Sequence, residues 1–169
     1  MNAVSALGQA GCRAAIPYVG RVPRSGPGER TPMATTERFP VEKSDEEWRL
    51  ELTPPQYAVL RGHATEPPGS CALLQEHRLG TFSCAGCAQP LFATGRKFES
   101  GTGWPSFFEP LAGAIGTTVD RSYGMARTEV HCSRCGGHLG HVFEDGPPPT
   151  GLRYCINGVA LTFQPTGAP

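Results

Sequence analysis

The feature that most constrains this chain is a pair of C-x-x-C motifs that lie far apart in the sequence. Cys84 and Cys87 form "CAGC", and Cys132 and Cys135 form "CSRC". Two intervening residues in a tight turn let both sulfurs of a motif meet one tetrahedral ion at about 2.3 Å. Each motif also follows a short strand-like run, as in a zinc ribbon. The spacing therefore predicts one structural zinc ion with four cysteine ligands.

Two disulfides, or a redox pair of the thioredoxin kind, are the alternatives to a zinc site. A redox C-x-x-C lies at the N-terminus of a helix within a β-α-β pattern, and no such pattern surrounds either motif. A secreted disulfide framework is typical of shorter chains with an even number of cysteines, whereas this chain has 169 residues and seven cysteines. Four cysteine ligands leave no open coordination position, so the predicted metal is structural.

Composition and turn residues favour a mainly β fold. The chain has 22 glycines and 17 prolines, which is typical of short strands joined by many turns. The strand-like segments are "GTFSC", "PLFATG", "GMARTEVHC", "LRYCIN" and "VALTF". Capping boxes at Ser44 with Glu47 and at Thr53 with Gln56 predict two short helices before the first of them. We expect one antiparallel, β-rich domain over residues 39–165.

The two ends of the chain differ from this domain. Residues 1–38 have no acid before Glu29, no apolar period, and arginines at positions 13, 21, 24 and 30, so we predict a disordered leader. Residues 1–32 are either an organellar transit peptide or an extension before a start at Met33. Cys12 lies in this leader and is expected to be incidental, and residues 166–169 form a short tail. We expect a cytoplasmic monomer, or an organellar one if the transit peptide is genuine.

Cys155 lies near the end of the predicted domain, in "GLRYCINGVALTF". Strand alternation puts Arg153, Cys155 and Asn157 on one face and apolar side chains on the other. A nearby guanidinium lowers the pKa of a thiol, and the thiolate is the nucleophile. A lone strand cysteine is more often a small buried hydrophobe, so its polar neighbours favour a nucleophile without deciding the matter. The apolar phase reverses after Gly158, which predicts a bulge or a hairpin turn there.

Histidines and aromatic residues supply further candidates. His138 and His141, in "GGHLGHVFEDG", follow the second C-x-x-C motif. Four cysteines already complete a zinc shell, which favours acid–base or hydrogen-bonding roles for the two imidazoles over metal binding. Trp104, in "SGTGWPSFF", lies on a predicted loop and is a candidate wall of a pocket. Phe143 is a second candidate for that wall, with a place in the core as the alternative.

Several long motifs, in a fixed order, carry a family resemblance. "GTGWPSF", "CSRCGGHLGHVFEDGP" and "GLRYCIN", framed by the two C-x-x-C motifs, resemble methionine sulfoxide reductase B. "LTPPQYAVLRGHATEPP" is similar to that family's N-terminal helical stretch, and the resemblance runs from about Trp48 to Phe163. It implies a tent-like, zinc-stapled fold of two antiparallel sheets. It also implies reduction of the R-epimer of methionine sulfoxide, free or in proteins, to methionine.

The resemblance implies a role for each candidate residue. Cys155 would attack the sulfoxide sulfur and become a sulfenic acid, and one of the two histidines would give or relay a proton. Arg153 and Asn157 would hold the thiolate and the polar end of the substrate. Trp104 would contact the methyl group of the substrate. Thioredoxin or another thiol would then reduce the sulfenic acid.

One position departs from the family pattern. Many relatives carry a cysteine two residues before the loop tryptophan, where this chain has Thr102. The usual thiol that resolves the sulfenic acid is therefore missing. Cys71, in "PPGSCALL", lies on a predicted loop and is a candidate resolving thiol. The alternative is a spectator thiol at this position, with an external thiol reducing the sulfenic acid directly.

A zinc-stapled binding module of the same fold, without catalysis, is the competing function. Such a module would not need a cysteine, an arginine and two histidines together. The net charge is zero, which argues against nucleic acid and against an anionic membrane as partners. No apolar run approaches the length of a membrane span. The sequence therefore favours the enzyme.

Overall fold

The computed structural model describes residues 38–167 of the chain. The predictions for the leader, Cys12 and a start at Met33 lie outside the described residues, as do the last two residues of the predicted tail. Within residues 38–167, no helix is both long enough and apolar enough to cross a membrane.

Both predicted helices are present, and they begin where the capping boxes place them. They are α1 (Asp45–Glu51) and α2 (Pro54–Leu60). The Ser44 hydroxyl accepts a hydrogen bond from the backbone N–H of Glu47, whose carboxylate accepts one from the backbone N–H of Ser44. Helices of seven residues are not stable alone in water. They depend on packing, to which α1 contributes Trp48, only 2% exposed.

The strands form two antiparallel sheets, which confirms the predicted fold class. The smaller sheet has the order β2-β1-β9 and the larger has the order β3-β4-β8-β7-β6-β5. The strands are β1 (Gly80–Cys84), β2 (Pro90–Ala93), β3 (Lys97–Phe98), β4 (Ser106–Phe107), β5 (Ile115–Asp120), β6 (Arg127–Cys132), β7 (His138–Phe143), β8 (Arg153–Ile156) and β9 (Leu161–Pro165). Phe82, Phe92 and Phe107 are fully buried in the core that the two sheets share, where the ring of Phe107 stacks on Phe92 and meets Phe82 edge-on.

The sequence predicted five of the nine strands among residues 38–167 and missed β3, β4, β5 and β7, of which β7 lies at the centre of the larger sheet. Its glycine, Gly140, made the segment look unlike a strand. A Cβ on Gly140 would lie 2.0 Å from the carbonyl oxygen of Cys155. Gly140 therefore obscures the strand pattern of β7 in the sequence, and it also lets the backbone of β7 approach β8.

The chain passes from the larger sheet to the smaller one directly after Cys155. β8 ends at Ile156, β9 begins at Leu161, and Gly158–Ala160 between them forms a buried turn of 3-10 helix. The predicted bulge or hairpin turn at Gly158 is therefore wrong. A hairpin would have paired β8 with β9, but the two strands belong to different sheets. The 3-10 turn changes the strand direction and resets the apolar alternation.

Candidate active site

The four cysteines of the C-x-x-C motifs converge on one point. Sγ of Cys84 lies 3.7 Å from Sγ of Cys135, and Sγ of Cys87 lies 3.5 Å from Sγ of Cys132. All four sulfurs lie within 4.8 Å of one another. Zinc bonds of about 2.3 Å in a tetrahedron separate the sulfurs by about 3.8 Å, so the cluster fits one zinc ion. The chain has one structural zinc site with four cysteine ligands.

This zinc site fastens the two sheets to each other. Cys84 is the last residue of β1 in the smaller sheet, and Cys132 is the last residue of β6 in the larger sheet. The second cysteine of each motif lies in the turn that follows its strand. One ion therefore holds strand ends that are far apart in sequence and belong to different sheets.

The predicted nucleophile and one histidine are direct neighbours across the larger sheet. In the strand register, Glu129 of β6 is opposite His141 of β7, His141 is opposite Cys155 of β8, and Cys155 is opposite Ser106 of β4. Residues opposite each other in antiparallel strands point to the same face, with Cβ atoms about 4.5–5.5 Å apart. Four strands thus place a carboxylate, an imidazole, a thiol and a hydroxyl in one row.

A small pocket of about 150 Å³ opens on this row. Five predicted residues line it: Trp104, His141, Phe143, Cys155 and Asn157. Pockets for drug-sized ligands measure about 300–1,000 Å³. This pocket is smaller, and it fits the end of one side chain with a reactive sulfur beside it.

The two aromatic walls are held in place by polar contacts. Nε1 of Trp104 donates a hydrogen bond of 3.0 Å to the carbonyl oxygen of Glu66. The guanidinium of Arg153 lies over the ring of Phe143, 4.6 Å from its centroid, and makes two hydrogen bonds to the carboxylate of Asp145. Both predicted wall residues therefore line the pocket with little freedom to rotate.

Burial governs the chemistry of Cys155, which is a free thiol. Loss of solvent raises the pKa of Cys155 above its ordinary value. The charge of Arg153 and hydrogen bonds from Thr102 and Arg153 act in the opposite direction and do not reverse the shift. At neutral pH the resting group is a protonated thiol with two donors ready for its thiolate. Thr102, where many relatives carry cysteine, also bonds to the Ser100 hydroxyl at 2.8 Å.

His141 is a neutral base in the resting site. Burial is the largest influence and lowers the pKa of His141 below 6.5, although Asp120 acts against it. Oδ2 of Asp120 lies 2.8 Å from Nε2 of His141 and 2.7 Å from Nη2 of Arg127. Hydrogen bonds with Ser122 are the main reason why the pKa of Asp120 is lowered. An ionised carboxylate only accepts hydrogen bonds, so Nε2 of His141 carries the hydrogen.

His138 lies behind His141, and it does not line the pocket. A spacing of three residues would put the two histidines on opposite faces of a regular strand. The β6–β7 register shifts between Val130 and His131, however, and Nδ1 of His138 lies 2.7 Å from Oε1 of Glu129. The two imidazole centroids are 5.5 Å apart. The structure thus brings both predicted histidines together, with His141 nearer the thiol.

Asn157 lines the pocket with its amide already engaged. Its Oδ1 accepts a hydrogen bond from the backbone N–H of Glu66, and its Nδ2 donates one to the carbonyl oxygen of Leu139. The buried carboxylate of Glu66 in turn accepts hydrogen bonds from the backbone N–H groups of Gly158 and Val159. These contacts fix the segment that follows Cys155.

Cys71 is buried beside that same segment. A Cβ on Gly158 would lie 2.7 Å from Sγ of Cys71, so the sulfur packs against the turn three residues after Cys155. Cys71 is 5% exposed, does not line the pocket and is disulfide-bonded in the structure rather than a free thiol. Its predicted role as a resolving thiol stays a prediction.

Sequence reasoning missed the charged residues that support the site. Arg127 and Glu129 alternate along "RTEVHC", and that period of two was a usable signal for a polar strand face. The sequence did not indicate a role for Asp120 or Glu66, because their contacts in the site are with residues that only folding brings close. Nε of Arg127 is buried and has no hydrogen-bond partner among residues 38–167, and Arg127 lines the pocket.

Comparisons with known proteins agree with this site. The sequence pattern of the SelR domain matches residues 52–165. The chain is 54% identical over 126 residues to peptide methionine sulfoxide reductase MsrB of Agrobacterium fabrum, covering 74% of this chain and 93% of the relative. The protein of the same name from Bradyrhizobium diazoefficiens is 57% identical over 126 residues, covering 74% and 91%. That from Methanosarcina barkeri is 57% identical over 125 residues, covering 73% and 88%. The resemblance found in the motifs is confirmed, and the chain belongs to the SelR-domain family of MsrB peptide methionine sulfoxide reductases.

Proposed function

We propose that this protein reduces methionine R-sulfoxide, free or in proteins, to methionine, with Cys155 as the nucleophile. The observation that carries the proposal is the pairing of Cys155 with His141 across two strands, at a pocket with two aromatic walls, in a member of this family. The pocket accepts the methyl end of a methionine side chain against Trp104. Neutral aromatic walls suit a substrate that carries no net charge at its reacting end.

The chemical step transfers one oxygen atom. The sulfur of Cys155 attacks the sulfoxide sulfur and gives up its proton, and a proton reaches the sulfoxide oxygen. This attack forms a transient S–S bond between Cys155 and the substrate. The protonated oxygen then passes from the substrate sulfur to the sulfur of Cys155 while the S–S bond breaks, so methionine leaves and Cys155 becomes a sulfenic acid. The sulfoxide sulfur is reduced by two electrons and the cysteine sulfur is oxidised by two.

His141 and Arg127 are the groups placed to act on the sulfoxide oxygen. His141 lies opposite the thiol, and the hydrogen on its Nε2 leaves Nδ1 free to take the thiol proton and pass it on. Nε of Arg127 is a buried donor without a partner among the described residues, which a sulfoxide oxygen can satisfy. His138 acts behind His141 through Glu129, as a positioning residue.

The pH dependence of kcat/KM tests the assignment of His141. Burial lowers the pKa of His141 and raises that of Cys155. Cys155 and His141 together can exist as a thiol with a neutral imidazole or as a thiolate with an imidazolium. The two forms contain the same number of protons, so the fraction of enzyme in the reactive thiolate form does not change with pH between the two pKa values. We expect a flat profile between the lowered pKa of His141 and the raised pKa of Cys155, with a fall on either side of this range.

His141→Gln should both slow the reaction and change the shape of this profile. Loss of a general acid costs about 10²–10⁴-fold, and the rate should then follow the thiolate alone, rising tenfold per pH unit up to the pKa of Cys155. Stopped-flow or steady-state kcat/KM from pH 5 to 10 checks this. A flat profile that persists in His141→Gln would contradict the role. His77→Gln, an exposed histidine away from the pocket, is the control.

Turnover of the two sulfoxide epimers tests the function as a whole. A peptide containing R-sulfoxide, with dithiothreitol as reductant, should yield methionine, and the S-sulfoxide peptide should not. Binding of the peptide without any methionine formed would favour the non-catalytic module instead.

A thiol reductant must regenerate Cys155 after each cycle, and we propose thioredoxin for this role. Because Cys71 is disulfide-bonded in the structure, a thiol reductant would first have to release its thiol. The reduced Cys71 would then resolve the sulfenic acid by forming a Cys71–Cys155 disulfide with loss of water. Its position against the turn after β8 supports this order of events. The cytoplasmic location and the monomeric state predicted from the sequence stay predictions.

Mapping disulfides after one turnover tests Cys71. Reduced protein given one equivalent of R-sulfoxide without reductant should show a Cys71–Cys155 peptide by mass spectrometry. Cys71→Ser should instead keep a sulfenic acid on Cys155 and lose thioredoxin-driven turnover, with dithiothreitol-driven turnover retained. Ala72→Ser, at the exposed neighbouring position, is the matched control. Unchanged thioredoxin-driven turnover in Cys71→Ser would defeat the idea.

A further inference from the structure

Three metal-binding side chains meet at one carboxylate outside the four-cysteine site. Nδ1 of His63 lies 3.0 Å from Oε1 of Glu129, and Nδ1 of His138 lies 2.7 Å from the same oxygen. The ligand atoms of all three residues lie within 4.8 Å of one another. We propose that His63, Glu129 and His138 form a second cation site, which takes Zn²⁺ and slows the reductase when it is occupied.

The donor set suits zinc and does not suit magnesium or calcium. Two imidazole nitrogens and one carboxylate oxygen are the ligands of open zinc sites, with bonds of about 2.0–2.2 Å and water in the fourth position. Magnesium and calcium prefer oxygen ligands alone. Tetrahedral bonds of that length separate the ligand atoms by about 3.3–3.6 Å. Each histidine nitrogen therefore needs to move away from Glu129 by less than about 1 Å.

The fold both holds this site and leaves it open. His63 has φ of +54°, a left-handed conformation that residues other than glycine rarely adopt. This conformation turns the chain after α2 back over the sheet, where the ring of His63 lies 5.1 Å from that of His138. The side chain of His63 is 62% exposed, Glu129 is 14% exposed and His138 is 3% exposed. A cation thus enters from the side of His63 and ends beside two ligands that the protein already holds.

A zinc ion in this position acts on the reductase by moving His138. Nδ1 of His138 lies 2.7 Å from Oε1 of Glu129, and its ring lies 5.5 Å from the ring of His141. Binding the ion draws this nitrogen away from Glu129 and displaces the ring that lies behind His141. A misplacement of about 1 Å in an active site can cost about 10²-fold in rate, so the smaller displacement here should slow the chemical step by about tenfold or more.

Binding is measured first, in a chain that cannot react. Tag-free Cys155→Ser protein with its four-cysteine site filled should take up one further equivalent of Zn²⁺ by isothermal titration calorimetry, and no Mg²⁺. His63→Asn in the same background should lose that equivalent. Asparagine tolerates the left-handed backbone, so this variant removes the imidazole without straining the chain. His77→Asn, at an exposed histidine elsewhere, should keep it.

Single-turnover kinetics then tests the effect on the reaction. Pre-reduced enzyme, mixed with R-sulfoxide peptide in the absence of thiol reductants that would chelate the metal, should form methionine about tenfold or more slowly with Zn²⁺ present. Zn²⁺ should leave the rate of the His63→Asn variant unchanged from the rate of that variant without zinc. It should slow the His77→Asn variant as much as it slows the wild type. No extra equivalent in the titration, or equal inhibition of His63→Asn, would overturn the site. If the proposed reductase function is itself wrong, no methionine will form even in the absence of Zn²⁺, which distinguishes that failure from failure of the zinc site.

Discussion

Cys155→Ser should abolish methionine formation from R-sulfoxide, by about 10⁴-fold or more. A serine hydroxyl is a far weaker nucleophile than a thiolate, and it cannot take up the oxygen as a sulfenic acid. The substitution removes one sulfur from a half-buried position and touches none of the four zinc ligands. Zinc content and the midpoint of thermal unfolding should therefore stay near those of the wild type.

The control for this result is a cysteine outside the pocket. Cys71→Ser, assayed with dithiothreitol so that no resolving thiol is needed, should retain turnover. Methionine is quantified by chromatography, and zinc by atomic absorption. Residual turnover of Cys155→Ser within about a hundredfold of the wild type would contradict a nucleophilic role, since proton transfer and binding alone would then account for most of the catalysis.

Removal of the four-cysteine zinc should unfold the protein. Structural zinc contributes about 10–16 kcal/mol to the folding of zinc-finger peptides at neutral pH. Whole domains are stable by only about 5–15 kcal/mol. Because Cys84 and Cys132 end strands of different sheets, loss of the ion also releases one sheet from the other. We expect Cys132→Ser to be insoluble, or to lack a cooperative thermal transition.

Chelation of the wild type gives a second route to the same measurement. Far-UV and near-UV circular dichroism should show loss of fixed side-chain packing in step with zinc release. Cys155→Ser treated in the same way should behave identically, because its zinc site is intact. Less than about 0.1 zinc per chain on protein with an unchanged melting profile would refute a structural ion.

Local signals explain what the sequence could predict. A capping box needs residues three apart, and a zinc knuckle also needs cysteines three apart. Both were therefore readable, and the structure contains both. The polar face of Arg153 and Cys155 was readable for the same reason, because alternation along one strand is local.

Register explains what the sequence could not predict. Glu129, His141 and Cys155 form a row only because β6, β7 and β8 pair in one particular alignment. A slip of one residue would send a strand's side chains to the opposite face. His138 joins the row through a register shift, which no periodic pattern reveals. Glu66 contacts the nucleophile's segment from more than ninety positions away, as the separation from Gly158 shows.

The burial of Cys155 also bears on survival of the enzyme among oxidants. Methionine sulfoxide arises where peroxides are present, and peroxides oxidise thiolates far faster than thiols. A cysteine that rests as a protonated thiol is a poor target for them. In the proposed mechanism, the thiolate forms when the sulfoxide itself occupies the pocket and His141 accepts the proton. The proposed nucleophile would thereby be selective for the damaged side chain over the oxidant that caused the damage.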